Sequence, residues 1–118
     1  MKLFLFSMLL TSSVFASTYN CGVKGFGDYA VEVNLKSKKA AFFDNDNWSV
    51  VKLTNSSVST PVFSGKDNYG DALAIMFDLR ESSYLAGVFG KVSFVANGRA
   101  VARNLINCKY EQNLNSGI

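Results

Sequence analysis

The chain has 118 residues, with 12 Lys and Arg against 9 Asp and Glu, one Pro, two Cys and no His. That length supports one domain with one packed core. The absence of His removes the commonest general base and transition-metal ligand, and a net charge of +3 is too weak to argue for nucleic acid.

Met1-Lys2 precedes a short apolar run, Leu3 to Leu10, and then small residues around Val14 and Ala16. One cation, a short apolar core and small residues at the −3 and −1 positions make a secretory signal peptide over residues 1–16, cleaved before Ser17. The apolar run is too short to span a bilayer. Tyr19-Asn20-Cys21 lacks the small residue that precedes a lipidated cysteine, so no membrane anchor is expected. The expected product is an exported domain, residues 17–118, in the periplasm or the medium.

Cys21 and Cys108 lie near the two ends of that domain. In an oxidising compartment two lone thiols pair, and their bridge places the first and last strands side by side. Between them the sequence alternates with period two. Tyr29, Val31, Val33 and Leu35 share one face of a strand, and Lys36-Ser37-Lys38 turns into Lys39 to Phe43. Asp44 to Asn47 is a turn cluster, followed by a strand from Trp48 to Leu53. Val58 to Ser64 reads as extended, with Pro61 marking an edge or a break in pairing. After the polar connection Gly65 to Asp71, Leu73, Ile75, Phe77 and Leu79 share a face. Tyr84 to Phe89 and Val92 to Ala96 read as strands. Asn97-Gly98 then predicts a two-residue hairpin turn into Arg99 to Ala102. A last strand covers Leu105 to Cys108, and a frayed polar tail begins at about Glu111.

About eight short strands with joined ends predict an all-β fold: a small antiparallel β-barrel closed by one disulfide. The alternative is a two-sheet β-sandwich.

Candidate chemistry is sparse. Asp44-Asn45-Asp46-Asn47 resembles the start of a calcium loop, but Trp48 holds the fifth position and the closing Glu is missing, so no metal is expected. The glycines of Gly22 to Gly27 match neither phosphate-binding fingerprint, and no cofactor is expected. Nucleophilic catalysis lacks a His partner, and the carboxylate pairs sit in polar turns, so an enzyme is not expected. Asn47-Trp48-Ser49 and Asn55-Ser56-Ser57 match the glycosylation sequon. Trp48 and Tyr69 stand out because each borders a polar loop, where exposed aromatics serve as binding anchors. The candidate binding set is Asp44, Asp46, Trp48, Ser64, Lys66 and Tyr69.

The signal peptide, a domain of this size, Tyr19-Asn20-Cys21 at one end and Asn107-Cys108-Lys109 at the other form a layout similar to that of the small periplasmic inhibitors of C-type lysozymes. Those are eight-stranded barrels closed by a disulfide, which insert a Ser-Gly-x-x-Tyr loop and a Lys-Gly loop into the lysozyme cleft. Ser64-Gly65-Lys66-Asp67-Asn68-Tyr69 is one residue longer than that motif, and Gly90-Lys91 reverses the second. The resemblance implies an extracytoplasmic protein partner, a lysozyme-like hydrolase, with Lys66 pairing to a carboxylate in its cleft. The alternative function is a lipocalin-like carrier, its barrel enclosing a small apolar ligand.

Overall fold

Strands whose apolar residues recur every second position must bury one face, and eight of them do so by closing on themselves. The computed structural model describes residues 16–80, 85, 87 and 89–113; residues 1–15 of the expected signal peptide lie outside them. The strands are β1 (Ala16–Val23), β2 (Phe26–Asn34), β3 (Lys39–Phe43) and β4 (Trp48–Asn55), then β5 (Val62–Lys66), β6 (Ala72–Phe77), β7 (Gly90–Ala96) and β8 (Arg99–Asn113). Each pairs antiparallel with its sequence neighbour, and β8 returns to β1 to close the barrel. The up-and-down barrel is therefore the architecture, not the sandwich.

The inward face follows the alternation. Val31, Val33, Phe42, Val51, Phe63, Leu73, Ile75, Phe77, Val92 and Leu105 are buried, while Lys39, Lys52, Lys66 and Lys91 stand on the outer face. Phe26, Tyr29, Phe42 and Phe94 interlock at one mouth with ring centroids 4.8–5.6 Å apart. Phe63 and Phe77, also in the core, are less than 2% exposed. The interior is a packed core.

Closure depends on a bulge. Asn20 pairs with Lys109 and Gly22 with Ile106, so one residue of β1 opposes two of β8. Asn107 is the extra residue and takes a φ of 55°, a left-handed value that Asn tolerates. The bulge flips the alternation of β8, so that Cys108 falls on the same side as Leu105. The Cys21–Cys108 disulfide forms there, across the closing seam, as suits an oxidising compartment.

Asn97 and Gly98 both have positive φ, 54° and 75°, as the predicted hairpin turn requires. Three boundaries differ from expectation. β5 starts at Val62, not Val58, because Pro61 has no N–H for the ladder. Pro61 and Ser59 instead accept hydrogen bonds from Phe77 and Leu79 through their carbonyls. Arg99 to Ala102 and Leu105 to Cys108 are one strand, whose pairing runs on to Asn113 opposite Ala16 and so passes the expected fray at Glu111. Of the expected strand Tyr84 to Phe89, Leu85, Gly87 and Phe89 are described and none belongs to a strand, since Gly87 takes a φ of 76° in a turn; Tyr84, Ala86 and Val88 lie outside the described residues, and β7 opens at Gly90.

Candidate functional site

In a meander barrel, alternate connections gather at one end, so the β3–β4 turn and the β5–β6 loop stand at the same mouth. Each is built by an Asp. The Asp44 carboxylate accepts the N–H groups of Asp46 and Asn47 at 3.0 and 2.8 Å, while Asn45 takes a φ of 72°. The Asp67 carboxylate accepts the N–H groups of Tyr69 and Asp71, both at 2.9 Å. Such short side chains replace backbone partners that a tight turn cannot supply.

The two loops are then stapled together. The Tyr69 hydroxyl donates to Asp46 Oδ2 at 3.2 Å and accepts from Asn47 Nδ2 at 3.0 Å. Asn68 donates its side-chain amide to the Trp48 carbonyl at 2.7 Å and its backbone N–H to the buried Ser49 hydroxyl at 3.0 Å. Trp48 lies on Phe43, with ring centroids 5.1 Å apart, and remains 45% exposed. Tyr69 is 58% exposed. Val50, two positions along β4 on the outer side, is exposed as well.

Four of the six sequence candidates thus converge: Asp44, Asp46, Trp48 and Tyr69. Asp44 serves the turn itself. Ser64 and Lys66 sit on the outer side of β5, where the Ser64 and Thr54 hydroxyls bond at 2.7 Å. Lys66 is exposed, with no ion-pair partner among the described residues. Sequence reasoning missed Asn47 and Asn68, which tie the loops, and Phe43 and Val50, which extend the apolar surface. Both asparagines carried a local signal, Asn68 inside the Gly65 to Asp71 connection and Asn47 inside the Asp44 to Asn47 cluster. Their long-range pairing carried none, since the Asn47 bond to Tyr69 spans 22 residues.

The Tyr69 phenol has its pKa raised above the usual 10.0. The Asn47 N–H, the largest influence, lowers it, but desolvation, the hydrogen bond to Asp46 and the charges of Asp44 and Asp46 together outweigh that. A folded value above the unfolded one means that the contribution is complete below pH 10 and is lost as pH rises through the folded value. Phenolate cannot donate to Asp46, so the staple opens there. An absorbance titration should place this phenol above 10, and Asp46→Asn should bring it down. An unmoved midpoint in Asp46→Asn would remove the carboxylate from the staple.

Compared with family models, curated proteins and solved structures, the chain matches none.

Proposed function

We propose that this barrel is an exported binding module, not an enzyme, that presents Asp44 to Trp48 and Ser64 to Asp71 to a protein partner in the periplasm or the medium. The observation that carries the reading is the staple of Tyr69 to Asp46 and Asn47. It orders two exposed loops before any partner arrives, so less freedom is lost on binding. Trp48 and Tyr69 supply aromatic area, and Lys66 supplies a cation with no ion-pair partner among the described residues.

The concrete form is a plug for the cleft of a lysozyme-like hydrolase, where Lys66 meets an acidic catalytic residue. The carrier reading is weaker, because Phe63, Phe77, Leu73, Ile75 and Leu105 occupy the space a ligand would need.

The test titrates the oxidised protein into a C-type lysozyme and follows both binding and muramidase activity. Saturable inhibition is expected, weakened about 30-fold or more by Lys66→Ala/Tyr69→Ala. A lysozyme left fully active sinks the plug. Affinity capture from envelope and extracellular fractions, with the double variant as control, then tests the module itself. A stoichiometric protein retained by wild type and lost with the variant supports it. Retention of the same proteins by both, or of none, sinks it.

A further inference from the structure

The opposite end of the barrel carries the β2–β3 turn, the β4–β5 loop, the β6–β7 connection and the outer ends of β1 and β8. Lys36 and Lys38 sit in that turn, and Lys39 opens β3 directly opposite Lys52 of β4. All four are exposed. The rest of their row brings no carboxylate, since Lys39 also faces Asn34 and Lys52 also faces Ser64; Glu32 lies in the next outward row, opposite Ala41. Like charges set directly opposite one another weaken a sheet. Lys38 in addition holds a φ of 62°, which a non-glycine residue adopts at a cost. Among the described residues these lysines have no ion-pair partner; the ion pair at this end joins Asp78 to Arg80.

Large apolar side chains stand in water at the same end. Val58 is 91% exposed, Leu85 75%, Tyr110 56% and Leu79 41%. Leu79 and Tyr110 border a cleft of about 420 Å³ whose other walls include Tyr19, Phe77 and Phe89. The loop mouth, by contrast, mixes its charges, with Asp44, Asp46, Asp67 and Asp71 beside Lys24, Lys66, Arg99 and Arg103. What sets the opposite end apart is a run of neighbouring lysines with no ion-pair partner among the described residues, next to exposed apolar tips.

Lysines flanking exposed apolar tips match the chemistry of an anionic bilayer surface: cations meet headgroup phosphates and apolar tips enter the interface. A soluble polyanion would engage the lysines but leave Val58 and Leu85 in water. We propose that this end docks reversibly on an anionic lipid surface, with the Trp48 and Tyr69 loops facing away from it. The attachment is electrostatic and interfacial; among the described residues no helix is long and apolar enough to cross a bilayer.

The test is co-sedimentation of purified protein, its N-terminus set by intact mass, with phosphatidylcholine vesicles containing or lacking phosphatidylglycerol. Binding is expected on the anionic vesicles alone and should fall with salt. Lys39→Glu places an opposite charge across from Lys52, so it should raise Tm by a few degrees while lowering partition about 20-fold, since each lysine near the surface contributes about fivefold. A rise in Tm rules out unfolding as the cause of lost binding. Lys66→Ala/Tyr69→Ala should keep full vesicle binding, which separates this surface from the loop site. Equal partition on both vesicle types, or unchanged partition of Lys39→Glu, overturns the proposal. So does binding to inorganic polyphosphate with none to vesicles.

Discussion

Replacing both cysteines, Cys21→Ala with Cys108→Ala, should lower Tm by on the order of 15–20 °C. The bridge links residues 87 apart. In the chain-entropy model a loop of that length withholds about 4.6 kcal/mol of freedom from the unfolded chain. A domain of this size has a total stability of about 5–15 kcal/mol, so the bridge is a large share of it. Denaturant melts of oxidised and reduced protein at one pH are the direct check. A loss below about 1 kcal/mol would mean that the β1–β8 ladder alone holds the barrel shut. The ladder is extensive, running in the expected product from Ser17↔Gln112 to Val23↔Leu105, so that outcome is a real contest between backbone pairing and the covalent bond.

Gly90→Ala should cost about 3 kcal/mol and yield little folded protein. Gly90 opens β7 with a φ of 143°, which L side chains rarely adopt. A Cβ built there overlaps the Met76 carbonyl oxygen and comes within 3.0 Å of Phe77 Cα on the neighbouring strand. Both obstacles are backbone, so no rotamer change relieves them. Gly27→Ala is the control, because its Cβ meets nothing within 4 Å. Urea melts of the two variants should differ widely. Matched stabilities would show that β7 can shift away from β6 at little cost. Gly90-Lys91 is also the reversed loop motif of the lysozyme-inhibitor resemblance. In the fold it is a strand start whose glycine answers to the backbone of β6.

The architecture was legible where one physical rule dominated. Val31 and Val33, or Leu73, Ile75 and Phe77, leave no choice of face once period two is recognised, and two terminal cysteines imply a closed seam. Asn97-Gly98 demanded its turn by backbone conformation alone. β8 was less legible, since Arg103 and Asn104 look like a turn. They are held in the strand by pairing to Val92 and Lys91, which a local reading cannot see. The bulge at Asn107 is similarly hidden, because only the partner strand defines it. For the loop site, an up-and-down meander places both loops at one mouth. The contacts of Asn47 and Asn68 depend on how far each loop leans across the rim, and nothing local encodes that lean. Exposure of Trp48 was equally undetermined, since a tryptophan sealing a barrel mouth has the same sequence surroundings.

Seven of the eight strand pairings join sequence neighbours, and the eighth joins the two ends. The seven hairpins can zip in succession, each closing a short loop at small entropic cost. The eighth must wait for nearly the whole chain and carries the largest closure cost. A chain whose cysteines have already met starts with that step taken, so it should refold faster than the reduced chain as well as melt later. Until the seam closes, β1 and β8 are open edges that can pair with another copy, and the order in which oxidation and zipping occur decides how long that exposure lasts.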